Sequence, residues 1–82
     1  MDIKILGTGC PNCAKLYEMT EKVIKDLGIE AELSKVEQPM AILSMGVMRT
    51  PAVMIDRTVV HQGSVPSEGE LKDMIKKAID AQ

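Results

Sequence analysis

Aromatic side chains are almost missing from this chain: its 82 residues include no Phe, no Trp and a single Tyr, Tyr17. A core without rings has to be filled by aliphatic side chains and by the seven methionines, whose flexible thioethers fit irregular gaps and give an adaptable interior. An excess of one charge is missing too. Ten Lys and Arg stand against twelve Asp and Glu, and the basic residues are dispersed, mostly at helical spacing opposite acids, so no nucleic-acid partner is expected. No uninterrupted apolar run could span a bilayer, and the opening Met1-Asp2-Ile3-Lys4 has neither a basic segment nor a long apolar one behind it. The expectation is therefore no membrane contact and a cytoplasmic protein, in a compartment where thiols are normally kept reduced. Histidine occurs once and cysteine twice. Those three soft ligands fall short of the four that a structural zinc site wants, and no second C-x-x-C exists, so a structural zinc site is not expected. With 45% hydrophobic and 27% charged residues the composition is globular, and the length suits a single domain over residues 1–82 with an adequate but thin core.

Both cysteines fall in one tetrapeptide, Cys10-Pro11-Asn12-Cys13. Before it, Ile3-Lys4-Ile5-Leu6 has strand character and Gly7-Thr8-Gly9 reads as a turn; Pro11 then takes the favoured first position of a helix. That makes Cys10 the N-cap. A thiolate there faces the positive end of the helix dipole, which favours its ionised form and places its pKa below the free value of roughly 8.5. Cys13 lies one turn inside on the same side of the helix and is less open to water. Cys10 is thus placed to attack and Cys13 to resolve.

Magnitudes favour a redox pair over a structural staple. A disulfide closing only four residues stabilises by at most about 2 kcal/mol, against about 3 for a fifteen-residue loop. A thiol pKa lowered from roughly 8.5 to about 7 raises the thiolate fraction at neutral pH some fifteen-fold, while nucleophilicity falls only about four- to six-fold. The same change makes the sulfur a good leaving group, so a mixed disulfide can be resolved.

From Pro11 to Leu27 the apolar positions Cys13, Leu16, Tyr17, Val23, Ile24 and Leu27 keep helical spacing, and Gly28 supplies the stop. Lys15, Glu18, Glu21, Lys22 and Lys25 form the solvated side. Ile29, Ala31 and Leu33 then alternate with Glu30, Glu32 and Ser34 as a half-buried strand. Pro39 opens a short helix through Met40 to Met45, stopped by Gly46. Ala52 to Ile55 and Thr58 to His61 read as a hairpin about Asp56-Arg57, although Arg57 suits such a turn less well than Gly would. Ser67 and Glu70 form a capping box for a last helix with the stripe Leu71, Met74, Ile75, Ala78 and Ile79.

Thr50-Pro51 directly precedes the strand Ala52 to Ile55, where a missing backbone donor is tolerated. Only about 5 to 6% of X-Pro bonds in folded proteins are cis, so the sequence by itself points to an ordinary strand-entry proline. His61 reads as a polar residue at a strand end, and Lys15 as a solvated lysine. Gly7-x-Gly9 after a strand suggests a dinucleotide loop, but Asn12 stands where the third glycine belongs. A second reading of the C-x-x-C remains: a soft-metal-binding, copper-chaperone-like module, whose thiolates would suit Cu(I).

Taken together, Thr8-Gly9-Cys10-Pro11-Asn12-Cys13, Gly46-Val47 ahead of Thr50-Pro51-Ala52-Val53, Ile55-Asp56, and Val65-Pro66-Ser67 resemble the small thioredoxin-like, redox-active disulfide proteins, close in size to glutaredoxins. The resemblance covers nearly the whole chain. It implies an α/β thioredoxin-like fold of order βαβαββα, with a four-stranded mixed sheet and helices on both faces. It also implies that Thr50-Pro51 is cis and packs beside the sulfurs, with Pro11, Asn12, Thr50 and Pro51 shaping a substrate groove. The activity implied is thiol-disulfide exchange on protein disulfides by a monomer that needs no cofactor beyond the Cys10-Cys13 pair. Gly9 and Lys4 stand where thioredoxins proper place a Trp and a buried Asp. Gln62-Gly63-Ser64-Val65-Pro66 does not match the glutathione-holding motif of glutaredoxins, so a flavin-dependent, thioredoxin-reductase-like donor is expected in place of glutathione.

One segment is left over. Between Met40 and Met48 only Ser44 and Gly46 are not apolar, and a short helix buries about one stripe, so in a monomer some of these side chains, with Met45 as the trial position, are expected at the surface; the alternative is that they pack under neighbouring loops in a core short of aromatics. Such a patch would lead to Arg49-Thr50-Pro51 and could serve as a docking surface.

Overall fold

Strand β1 (Asp2–Leu6) occupies the middle of a four-stranded sheet because both of its faces are apolar where they must be: Ile3 and Ile5 point one way, Leu6 the other, and all three are buried. The computed structural model describes residues 1–7 and 11–80. Along them run β1, α1 (Pro11–Leu27), β2 (Glu32–Val36), α2 (Pro39–Ser44), β3 (Ala52–Ile55), β4 (Thr58–Gln62) and α3 (Glu68–Asp80). The strand order is β2-β1-β3-β4, with β1 parallel to β2, antiparallel to β3, and β3 antiparallel to β4. This is the expected βαβαββα order and mixed sheet.

The two sheet faces are covered unequally. Ile3, Ile5, Val53 and Ile55 pack against Leu16 and Val23 of α1 and Leu71 and Ile75 of α3. On the other face Leu6, Ala52 and Met54 meet Ile42 of α2 and Val47 just beyond it. Burying each large aliphatic side chain contributes about 1.5–3 kcal/mol, whereas an exposed ion pair contributes about 0.2–1. Aliphatic packing therefore fastens α1 to α3, and the bridges Lys22–Glu68 (3.4 Å) and Lys72–Asp26 (3.8 Å) between them only trim it.

Helix ends follow their sequence signals. Gly28 (φ 62°) ends α1: its N–H reaches the Lys25 carbonyl at 3.1 Å and the Ile29 N–H reaches that of Ile24 at 3.4 Å. That pair of bonds is a Schellman stop, with Ile24 and Ile29 as its apolar partners. It corrects the expected second strand, which begins at Glu32 and not at Ile29. Ile29 is spent closing the helix, and pairing starts where β1 supplies partners, Asp2 opposite Glu32. At α3 the Ser67 Oγ accepts from the Glu70 N–H at 3.2 Å and donates to Glu70 Oε1 at 3.1 Å, a variant of the expected capping box. Strand β4 runs one residue further than expected, to Gln62, because the register shift opposite Val53/Met54 leaves Val60 as an extra residue and sets the five residues of β4 against the four of β3.

The hairpin turns on two left-handed residues, Asp56 (φ 47°) and Arg57 (φ 71°), between the paired Ile55 and Thr58. Two positive φ values match the twist of the strands, but Arg57 carries a Cβ that this region disfavours. Arg57→Gly should therefore raise unfolding stability by about 0.5–1 kcal/mol. Urea denaturation checks this; an unchanged or lower midpoint would show that Arg57 makes a compensating contact.

Candidate functional site

Helix α1 brings Cys13 to the end of the sheet at its first turn, with the residue only 8% exposed. Its seat is Gly7, the residue directly after β1, whose N–H continues the parallel ladder to the Val36 carbonyl at 2.9 Å. A Cβ built on Gly7 would overlap the Cys13 Sγ, and would lie 3.2 Å from the Cys13 Cβ and 4.0 Å from the Thr50 Cβ. Cys13 and Thr50 thus converge on the space that a side chain at Gly7 would fill. Gly7 does not have a positive φ; volume, and not backbone conformation, is what calls for glycine there.

The Thr50–Pro51 peptide is cis. Thr50 is exposed and Pro51 buried. Pro51 is held from the far strand, where the Gly63 N–H donates to its carbonyl at 3.0 Å, and the Met48 N–H donates to Gln62 Oε1 at 3.1 Å. The end of β4 therefore clamps both sides of the Thr50-Pro51 segment. Pro11 and Asn12 are exposed on the first turn of α1. Cys10, expected as N-cap and nucleophile, lies outside the described residues.

One turn along α1 from Cys13, Tyr17 lies beneath the Lys35 ammonium of β2, 4.5 Å from the ring centroid. That contact lies within the usual reach of a cation–π pair and ties the start of α1 to the edge strand. Lys15 is exposed, as a solvated lysine should be. The His61 Nε2 pairs with the Ser64 Oγ at 3.0 Å near the end of β4, as suits a polar residue at a strand end. Lys4, in the region where an acid was missed, is half-buried and pairs with Asp2 at 3.7 Å. Gly7 is the site residue that sequence reasoning passed over. It reads as a turn residue in one dimension, and the only available signal was a glycine closing a buried strand six residues ahead of a cysteine.

Set beside known proteins, residues 1–76 match the thioredoxin domain family model. The chain belongs to the thioredoxin domain family. Among relatives, this thioredoxin-domain chain is 39% identical over 80 residues to a thioredoxin from Methanocaldococcus jannaschii, covering 98% of this chain and 92% of that one. It is 36% identical over 75 residues to a thioredoxin from Methanothermobacter thermautotrophicus, covering 92% and 97% respectively. Its fold matches thioredoxin 1 from Thermosipho africanus at a TM-score of 0.66 and 20% identity, over 99% of this chain and 97% of the other. Membership places the chain in a family of thiol-disulfide oxidoreductases. No helix among the described residues is long and apolar enough to cross a membrane.

Proposed function

We propose that the protein reduces protein disulfides through Cys10 and Cys13. The observation that carries this reading is the placement of Cys13, buried at the first turn of α1 where Gly7 and Thr50 meet. In that place the thiol is shielded from bulk solvent yet three residues from a partner that directly precedes the helix in sequence. Cys10 as thiolate attacks one sulfur of the substrate; that S–S bond breaks as the mixed disulfide forms, and the released sulfur takes up a proton. Cys13 then loses its proton and attacks Cys10, releasing the second substrate sulfur and leaving the Cys10-Cys13 disulfide. Two electrons have moved from the dithiol to the substrate. Thr50, exposed near Cys13, offers an extended substrate segment a hydrogen-bonding edge, with Pro11, Asn12 and Pro51 as the groove walls.

Protein disulfides as substrates and a reducing, cytoplasmic setting suit a dithiol that must be kept reduced. The test is insulin-disulfide reduction driven by dithiothreitol. Precipitation of the insulin B chain well above the uncatalysed rate is expected, and a rate equal to the uncatalysed one overturns the proposal.

The electron donor we infer is a flavin-dependent, thioredoxin-reductase-like protein. What supports this is that Gln62-Gly63-Ser64-Val65-Pro66 does not match the glutathione-holding motif of glutaredoxins, and that Gln62, Gly63 and Ser64 are engaged with Met48, Pro51 and His61. A reductase of that class should reduce the oxidised protein faster than physiological glutathione with glutathione reductase does. Equal or faster turnover with glutathione would count against it.

A further inference from the structure

The seven methionines are sorted by position. Met1, Met19 and Met74 pack against the larger core and Met45 against the smaller one, so Met45 is not the exposed member expected from the sequence; Met54 is 5% exposed. Met40 and Met48, by contrast, are 77% and 86% exposed, with Leu43 at 61% between them. Leu43 and Met48 line one shallow pocket of about 270 Å³, and Met40 follows its lining residue Pro39 in sequence; the lining, Pro39, Ile42, Leu43, Val47, Met48 and Thr50, carries no charge. Small-molecule sites run from about 300 to 1,000 Å³, so this one suits an apolar side chain of a partner protein better than a separate ligand. Thr50 belongs both to this pocket and to the place where Cys13 packs on Gly7. Met48 is two residues from Thr50, and its backbone is fixed by the Gln62 side chain.

We propose that Met48 is a peroxide-responsive site, whose sulfoxide lowers turnover of protein disulfides by making the rim of the substrate groove polar. The inference rests on the disulfide-reducing function above. A sulfur lone pair of Met48 attacks one oxygen of hydrogen peroxide, an S–O bond forms as the O–O bond breaks, and the departing hydroxide takes the proton of the transferred oxygen and leaves as water. The sulfur gives up two electrons and the peroxide is reduced. The product carries a strong acceptor oxygen where an apolar segment flanking the substrate disulfide must dock, and burying that oxygen without a donor is unfavourable. A small disulfide that reaches only the cysteines does not touch this rim.

The experiment treats the reduced protein with stepwise hydrogen peroxide and then dithiothreitol, which returns disulfides and sulfenic acids to thiols but leaves methionine sulfoxide in place. Peptide mass mapping assigns the sulfoxides, while turnover is followed with insulin and with a small aromatic disulfide. Met48 should be oxidised ahead of Met45, Met54 and the other core methionines, and kcat/KM for insulin should fall about five-fold while the small disulfide is turned over as before. Methionine sulfoxide reductase should restore insulin turnover. Met48→Leu, measured against its own untreated rate, should lose the peroxide effect. Oxidation of Met45 or Met54 before Met48, full insulin turnover with Met48 stoichiometrically oxidised, or an equal loss in Met48→Leu would each overturn the inference while leaving the function standing. An untreated protein that reduces neither disulfide would instead overturn the function, and the control of turnover with it.

Discussion

Cys10→Ser should bring insulin reduction to the uncatalysed rate, whereas Cys13→Ser should still attack once and then stall. The difference comes from what each sulfur must do. A serine hydroxyl at position 10 does not ionise near neutral pH, so no attacking anion forms and no mixed disulfide can begin. At position 13 the loss falls on the second step: Cys10 still joins to substrate, but the buried partner that would displace it has gone. Cys13→Ser should therefore accumulate a covalent complex that survives denaturation and dissolves in dithiothreitol, visible as a shifted band on a non-reducing gel. Cys10→Ser should show none. Trapping through Cys13 in the Cys10→Ser protein would reverse the assigned roles. The same pair of variants separates thiol exchange from soft-metal binding, in which both substitutions would weaken the metal alike and neither would trap a protein.

The elements of this fold could be read from the chain because they depend on local signals that nothing overrides. Pro11 and Gly28 bracket α1 by their own backbone preferences, Ser67 opens α3 through its hydroxyl, and the hairpin follows from two apolar runs set two residues apart even though Arg57 suits its turn poorly. The second strand was misplaced by three residues, since the alternation from Ile29 onward fits both a strand and the apolar partner of a Schellman stop. Only the length of β1 decides between them, and that is a tertiary fact. The split of Met40 to Met48 into buried Ile42 and Val47 and exposed Met40, Leu43 and Met48 was hidden for the same reason. A run with almost no polar residue has no periodicity from which a facing side can be read. Cysteine and proline at the candidate site announce themselves by spacing; Gly7 does not, because its role is to leave a volume empty for a side chain six positions away.

That empty volume carries the second large expectation. Gly7→Ala places a methyl group on the Cys13 Sγ, with the Cys13 Cβ at 3.2 Å and the Thr50 Cβ at 4.0 Å. The backbone at Gly7 does not need a positive φ, so alanine brings no conformational strain of its own. The clash must be relieved either by rotating the Cys13 side chain out of its seat or by shifting the first turn of α1. Overpacking of this kind costs about 1–3 kcal/mol, and each kcal/mol lowers the Tm of a domain this size by about 4–8 °C. The reduced Gly7→Ala protein should melt about 10 °C below the parent. It should also resolve its mixed disulfide more slowly, because the Cys13 sulfur no longer points from its packed position. The control is Cys13→Ala, which removes the sulfur and leaves the contacts to the Cys13 Cβ at 3.2 Å and the Thr50 Cβ at 4.0 Å. In that background Gly7→Ala should lose most of its penalty, and the interaction term of the double-mutant cycle measures how much of the strain belongs to the thiol. If Gly7→Ala destabilises both backgrounds equally, the strain lies in the ladder to Val36 and Cys13 does not depend on Gly7 for its place.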